Sequence, residues 1–138
     1  MKQLLLFLPV LLMFGCLSQQ NSIELDVETL KTLPYTTITT PDPHLEATIE
    51  YGGVLLKDIL THYKKEGVIE IKIVAKDGYT AVIKGEDLNL GILIAYMADG
   101  SEIPEDTGGP LKAIFSEEAQ KVYGPENWVW WVTNLEIS

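Results

Sequence analysis

The stretch DTGGPLKAIF, residues 106–115, carries the residues of this chain most suited to holding an anion. Gly108, Gly109 and Pro110 form a turn directly before Lys112, and glycine-rich turns let backbone amides approach a phosphate. A lysine ammonium beside such a turn would add a charge-assisted hydrogen bond. The same residues also suit a plain turn that begins a strand over residues 111–115. We expect the plain turn, and phosphate binding by Lys112 is the second interpretation.

Other polar residues are weaker candidates for metal binding or catalysis. A weak divalent-cation module is one interpretation of five residues, because carboxylates and imidazole bind metals; they are Asp42, His44, Glu102, Glu105 and Asp106. The acidic members lack the alternating spacing of an EF-hand, so a solvated loop is the expectation and no metal site is predicted. No serine, cysteine or lysine stands beside a recognisable base, and we therefore assign no catalytic residue.

The charge balance excludes whole classes of partner. The 138 residues include ten lysines, twenty acidic residues and no arginine, for a formal net charge of −10. Nucleic-acid binding depends on many cationic contacts to the phosphate backbone, and anionic lipid headgroups attract basic segments. We expect no nucleic-acid partner, and an acidic, solvated surface on one compact domain.

The N-terminus indicates an address outside the cytoplasm. The apolar run over residues 4–14 follows Lys2; as a helix its eleven residues would span about 16 Å, against a hydrocarbon core of about 30 Å, so residues 1–15 are expected to be a signal peptide. MFGC, ending at Cys16, resembles a lipobox, so Cys16 is the expected lipid-attachment site and residues 16–22 the tether to the membrane. An ordinary cleaved signal, giving a secreted protein, is the alternative.

Short strands and two or three short helices are expected over residues 23–138. Asp26 is a candidate N-cap for a helix over residues 26–33, and residues 55–65 have the apolar spacing of a second helix. A short acidic helix or loop is expected over residues 117–123. The pattern predicts an α+β domain with a mixed β-sheet, and the strands are expected over residues 36–40, 46–51, 69–75, 79–83, 92–98, 111–115 and 128–137.

Paired glycines and Asp-Gly dipeptides predict where the strands reverse. Asp77 and Gly78 suit a two-residue hairpin turn, because both tolerate positive φ. Asp99 and Gly100 predict a second turn. The pair at residues 52–53 is expected to end a strand and turn the chain.

Five blocks, taken in chain order, resemble the molybdopterin-binding domain of the sulfite oxidase family. They are GVLLKDIL from Gly53, DGY from Asp77, IAY from Ile94 with the DG that follows it, GPLK from Gly109, and Trp131 with Leu135 and Ile137. The resemblance implies a sulfite-oxidase-like mixed-sheet fold and an oxidoreductase domain that holds a pyranopterin bearing molybdenum. It implies cofactor contacts at Asp77, Tyr79, Gly108, Gly109, Pro110 and Lys112.

The sequence departs from that family where the cofactor would be held. In the family a cysteine thiolate binds the metal, and the corresponding loop, residues 36–44, contains no cysteine. The family's arginine after the Gly-x-Pro-Leu turn is replaced by Lys112, and Trp130 stands where a second cation is expected. Since forked or paired cations hold a phosphate, we expect the fold to be kept and no cofactor to be bound, with molybdopterin as the alternative.

The tryptophans near the C-terminus are candidates for a partner surface. On a strand, Trp128 and Trp130 would share one face, while Val129 and Trp131 would lie on the other face with the core. Trp128 and Trp130 are then either an exposed platform for a partner or ligand, or packed beneath a helix or loop.

These observations support two hypotheses on function. The favoured one is a lipid-anchored extracytoplasmic domain that is not itself an enzyme and acts in binding or assembly, with the membrane and a membrane-surface protein as expected partners. The alternative is a molybdopterin-binding oxidoreductase component, in which Lys112 and the backbone amides of residues 108–111 hold the cofactor phosphate.

Overall fold

The computed structural model describes residues 21–138. The predicted signal peptide, the lipobox and Cys16 lie outside the described residues. Ser22, which the tether prediction includes, already lies in the first strand, β1 (Ser22–Glu24), where it pairs with Glu136. Strand β1 therefore starts one residue before the predicted domain boundary at residue 23.

The strands form two sheets, and all the strand pairs within residues 21–138 are antiparallel. Strands β1, β9 (Val132–Ile137), β4 (Glu70–Ala75) and β5 (Thr80–Lys84) form the first sheet in that order. Asp77 and Gly78 make the predicted hairpin between β4 and β5, with Gly78 at φ +91°. This sheet alternates buried and exposed residues, as expected for a sheet with one face on the core.

The second sheet positions the candidate site. It contains β2 (Thr36–Asp42), β3 (Ala47–Leu55), β6 (Ile92–Ala98) and β7 (Ser101–Glu102) in that order, and β8 (Lys112–Phe115) also pairs with β6. The turn between β6 and β7 falls at Asp99 and Gly100, as predicted. Every residue of β8 is buried, so this short strand lies in the core.

The predicted turn at Gly52 and Gly53 is wrong. Both glycines lie inside β3, where the register with β6 shifts between them in a bulge. A side chain on Gly53 would overlap the backbone of Ile94. Gly53 is needed because two strands approach closely, and a Cβ on Gly52 would overlap the side chain of Tyr35.

The described residues contain three short α-helices, α1 (Val27–Leu30), α2 (Leu56–His62) and α3 (Glu117–Gln120). The Asp26 side chain accepts a hydrogen bond from the backbone N–H of Thr29 at 2.7 Å, which confirms the predicted N-cap. All three helices are shorter than the spans predicted from the sequence. The α+β class is confirmed, and none of the helices in residues 21–138 is long and apolar enough to cross a membrane.

The C-terminal strand begins later than predicted, at Val132. Trp131 has φ +57°, which breaks the alternation that a strand over residues 128–137 would have. Trp128 and Val129 are therefore both buried, at 3% and 0% exposure, and Trp130 and Trp131 are both partly exposed. The assignment of Trp128 with Trp130 to one face and of Trp131 to the core is wrong.

Candidate functional site

The centre of the candidate site is Lys112, the first residue of β8, whose side chain is fully buried. Its Nζ donates to Oδ2 of Asp42 at 2.8 Å, to the Tyr51 hydroxyl at 2.9 Å and to the carbonyl of Thr107 at 3.1 Å. An ammonium group has three N–H donors. Each donor of Lys112 thus has a partner within the protein.

Asp42 balances that charge from the end of β2. Its carboxylate accepts further hydrogen bonds from the Tyr51 hydroxyl at 2.6 Å and from the backbone N–H groups of His44 and Leu45 at 2.8 and 3.2 Å. Burial alone would raise the pKa of Asp42, but the hydrogen bonds from Lys112 and Tyr51 and the Lys112 charge outweigh it and hold the pKa below 3.8. Asp42 is therefore ionised at neutral pH.

The pKa values of Lys112 and Tyr51, the two side chains bonded to Asp42, are also shifted. Burial lowers the pKa of Lys112, and its attraction to the Asp42 carboxylate opposes that shift. Burial, reinforced by the hydrogen bond to Asp42, raises the pKa of Tyr51. The three side chains form one closed network of a cation, an anion and a neutral phenol.

Aromatic rings surround the ammonium group. Nζ of Lys112 lies 5.1 Å from the centroids of Tyr51 and Trp130 and 5.9 Å from that of Trp128. These distances are within the range of cation–π attraction. Trp130, which stands where the family has a second cation, thus covers Lys112 with a ring.

The glycine amides of the turn before Lys112 form hydrogen bonds within the preceding loop. The amide of Gly108 donates to the carbonyl of Glu105 at 3.2 Å and that of Gly109 to the carbonyl of Pro104 at 2.9 Å, and Pro110 has no amide hydrogen. Gly108 has φ +109°, and a Cβ on it would lie 2.8 Å from Cγ of Trp130. The turn leads into β8 as expected, and its glycine amides are already engaged.

A groove of about 350 Å³ lies beside this network. Its lining contains the predicted residues Asp77 and Tyr79 together with Trp128 and Trp130, and the remaining members are His44, Pro125 and Trp131. Lys112 and Gly108 are not in this lining, although both touch or approach Trp130. The structure thus brings the predicted Asp77 and Tyr79 together with the tryptophans, and places the turn and Lys112 beneath them.

The proposed divalent-cation module is not assembled. Asp42 is turned toward Lys112, and Glu105 lies 3.5 Å from Lys76. Within residues 21–138, no group of three or more histidine, cysteine or acidic side chains is arranged to hold a metal ion.

Sequence reasoning missed Tyr51 and the inward orientation of Asp42. The strand alternation contained a signal for Asp42, because β2 buries Thr40 and Asp42 on the same side. A buried carboxylate requires a cation or several donors, and in a chain without arginine a lysine is the expected cation. No local pattern indicates Tyr51, whose position across β3 depends on the strand register.

These residues do not fit the cofactor set that the family resemblance implies. A phosphate would need free donors, whereas those of Lys112, Gly108 and Gly109 are engaged inside the protein. In the family the corresponding loop carries the metal-binding thiolate. Here that loop contributes the Asp42 carboxylate, which is already paired with Lys112. Burying a phosphate dianion beside a carboxylate without new donors would be strongly unfavourable.

Comparison with known proteins agrees with the fold. The crystal structure of the sulfane dehydrogenase SoxCD from Paracoccus pantotrophus matches with a TM-score of 0.67 at 19% identity, over 82% of this chain and 34% of that one. This chain therefore spans about a third of the SoxCD chain, and at this identity the likeness shows the fold. No curated protein matches the sequence. The sequence model of the oxidoreductase molybdopterin binding domain matches residues 36–138, and the chain belongs to that family.

Proposed function

We propose that this protein is a lipid-anchored, extracytoplasmic member of the family that is not itself an enzyme and acts in binding or assembly at the membrane surface. The observation that carries the proposal is the buried ion pair of Lys112 with Asp42, at 2.8 Å. The ammonium group next to the glycine turn is thereby neutralised by a carboxylate of the same domain. The position that the family resemblance assigns to cofactor binding is buried in the core.

The available metal ligands support the same proposal. A soft thiolate anchors molybdenum in the family, and oxygen ligands do not replace its electronic effect. The single cysteine of the sequence is Cys16, which precedes the domain and whose sulfur would be consumed by lipid attachment.

The anchor is the part of the proposal that rests on the sequence alone. Residues 1–15 read as a signal peptide and MFGC as a lipobox ending at Cys16. The membrane is then the first partner, and a protein at the membrane surface the second. An unmodified Cys16 would make the protein a secreted one with the same domain.

The test is mass spectrometry with elemental analysis on the full chain purified from its own host membranes. We expect a polypeptide that begins at a lipid-modified Cys16 and contains no molybdenum or pterin. Stoichiometric molybdenum in the native protein would overturn the non-catalytic role. An intact or unlipidated N-terminus would overturn the anchor alone, because the two readouts are independent.

Family membership supports a second candidate, a molybdopterin-binding oxidoreductase component. Asp77 and Tyr79 still line a groove next to the glycine turn, and a partner chain or solvent would then supply the missing metal ligand. This candidate requires Lys112→Ala to lose the cofactor, while Lys121→Ala, which changes an exposed lysine paired with Glu118, keeps it. Equal cofactor content in both variants would contradict it.

A further inference from the structure

One groove is lined by residues whose chemistry the proposed non-catalytic role leaves open; they are His44, Asp77, Tyr79, Pro125, Trp128, Trp130 and Trp131. Its residues are mostly aromatic, and they include one carboxylate and no lysine. Tyr79 is 47% exposed, while Trp130 and Trp131 are each partly exposed. The groove therefore offers ring faces and one negative charge.

The rings are arranged at right angles. The planes of Trp130 and Trp131 meet at 86° with centroids 5.8 Å apart, and those of Trp130 and His44 at 78° with centroids 6.3 Å apart. Neighbouring perpendicular rings of this kind are typical of the walls of an aromatic cage, which is a common means of binding quaternary ammonium groups.

Hydrogen bonds already hold the polar edges of these rings. Nε1 of Trp131 donates to the carbonyl of Glu105 at 2.8 Å, Nε2 of His44 lies 2.8 Å from the carbonyl of Pro125, and the Tyr79 hydroxyl donates to the carbonyl of Glu126. The rings are thus fixed before any ligand arrives, which lowers the entropic cost of binding.

The charges around the groove favour a cation. Asp77 is exposed at the hairpin turn, where its Oδ1 accepts a hydrogen bond from the amide of Tyr79 at 3.1 Å. The nearby ammonium of Lys112 is balanced by Asp42, and Lys76 lies 3.5 Å from Glu105. With a formal charge of −10 on the whole chain, an anion would be repelled and an organic cation attracted.

We propose that this groove binds a small quaternary ammonium compound. Methyl groups spread the charge of such a cation and weaken its hydration, so it enters an aromatic cage more readily than a bare ammonium ion does. The inference rests on the proposed function, because a groove with its neighbouring cation neutralised no longer suits a phosphate. The chemistry is shared by free solutes and by choline-type lipid headgroups.

The first experiment is a calorimetric titration of the full-length protein with choline and with 3,3-dimethylbutan-1-ol, the uncharged isostere of choline. We expect choline to bind and the isostere to bind at least about tenfold more weakly, because it lacks the cation–π and Asp77 terms. Equal binding of choline and the isostere, or no binding of choline, would overturn the proposal. Glycerophosphocholine distinguishes the sources: binding as tight as choline assigns a lipid headgroup, and weaker binding assigns a free solute.

Two variants locate the site. Trp130→Leu removes one wall, and Asp77→Asn removes the charge while keeping the Oδ1 acceptor; each is expected to weaken choline binding several-fold. Tyr35→Leu, which changes a 53% exposed tyrosine outside the groove, is the matched control and is expected to bind as the native protein does. Unchanged binding in Asp77→Asn and Trp130→Leu would overturn the assignment to this groove.

The same preparations separate failure of this inference from failure of the proposed function. Their molybdenum content is measured before the titration. No choline binding in protein free of molybdenum overturns only the ligand class. Stoichiometric molybdenum overturns the proposed function and, with it, the basis for an organic cation.

Discussion

The ammonium of Lys112 and the carboxylate of Asp42 meet at 2.8 Å between two strands of one sheet, and neither side chain is exposed. The two residues are 70 positions apart in the sequence. A buried ion pair contributes little net stability, since desolvation offsets the attraction, yet the loss of one partner leaves an uncompensated buried charge. A substitution that removes only one of these two charges is therefore expected to be among the most destabilising changes in the core.

Lys112→Met should lower the free energy of unfolding by about 3–5 kcal/mol, because it leaves the Asp42 carboxylate buried without its cation. Urea denaturation monitored by tryptophan fluorescence measures this change. Lys121→Met is the matched control. It breaks an exposed pair with Glu118, 3.1 Å apart, and should cost no more than about 1 kcal/mol.

The double variant Lys112→Met with Asp42→Asn tests whether the two residues act as a pair. Removing both charges avoids the uncompensated carboxylate, so the double variant should be more stable than Lys112→Met alone. Strictly additive losses would show that Lys112 and Asp42 contribute independently and would contradict the network described here.

Asp42 should also govern part of the acid sensitivity of the fold. Its pKa is held below the ordinary 3.8, because hydrogen bonds from Lys112 and Tyr51 outweigh the effect of burial. As the pH falls below 3.8, the unfolded state takes up the proton first, so the stability that Asp42 contributes above that pH is lost as the pH approaches its folded pKa.

Urea unfolding at a series of pH values from about 6 to 2 measures this loss. The stability gap between the native protein and Asp42→Asn should narrow as the pH falls, because the other carboxylates affect both chains equally. A gap that stays constant would contradict the lowered pKa.

Local chemistry made some elements predictable from the sequence. The Asp26 cap and the Asp77-Gly78 hairpin depend on residues within a few positions of each other, and both occur as expected. The bulge at Gly53 could not be predicted, because it exists to let the backbone of Ile94 approach. Strand pairing, and not local preference, decides how that glycine pair is used.

Only part of the candidate site could be predicted from the sequence. The glycine turn leads into β8 as expected, but the partner of Lys112 comes from β2 through the sheet register. The positive φ of Trp131 also depends on distant contacts, since its amide donates to the carbonyl of Gly108 at 2.9 Å. Sequence periodicity therefore assigned the tryptophans to the wrong faces.

Tyr123 should lose its proton at a higher pH than an ordinary tyrosine. It is buried, and its hydroxyl donates to Oδ2 of Asp87 at 2.5 Å and accepts from the amide of Lys84 at 2.9 Å. Burial, reinforced by the hydrogen bond to Asp87, raises the pKa of Tyr123 to about 12. Its unfolded-state pKa is near 10, so the stability it contributes is complete below pH 10 and declines as the pH rises toward 12.

Denaturation at pH values from about 8 to 11 on the native protein and on Tyr123→Phe measures this decline. Stability should fall less steeply in the variant, because phenylalanine has no proton to lose. Identical slopes would show that Tyr123 ionises at its ordinary pH in the folded protein.

Gly108→Ala should destabilise the protein and disturb the tryptophan beside it. The position has φ +109°, which an L side chain rarely adopts, and a Cβ there would lie 2.8 Å from Cγ of Trp130 and 3.0 Å from Cδ of Lys112. Backbone strain alone should cost about 1–3 kcal/mol. Displacement of the Trp130 ring should add to that cost and shift the fluorescence emission maximum.

Gly78→Ala separates the two contributions to the Gly108 effect. Gly78 has φ +91° in the β4–β5 hairpin, and a Cβ there would meet no atom within 4 Å. Alanine at Gly78 therefore introduces strain without overlap, and should lower the melting temperature while leaving the emission maximum unchanged. If Gly108→Ala instead gives the same two results as Gly78→Ala, a lower melting temperature and an unchanged emission maximum, the Trp130 ring moves freely. That outcome would contradict the fixed aromatic walls of the groove.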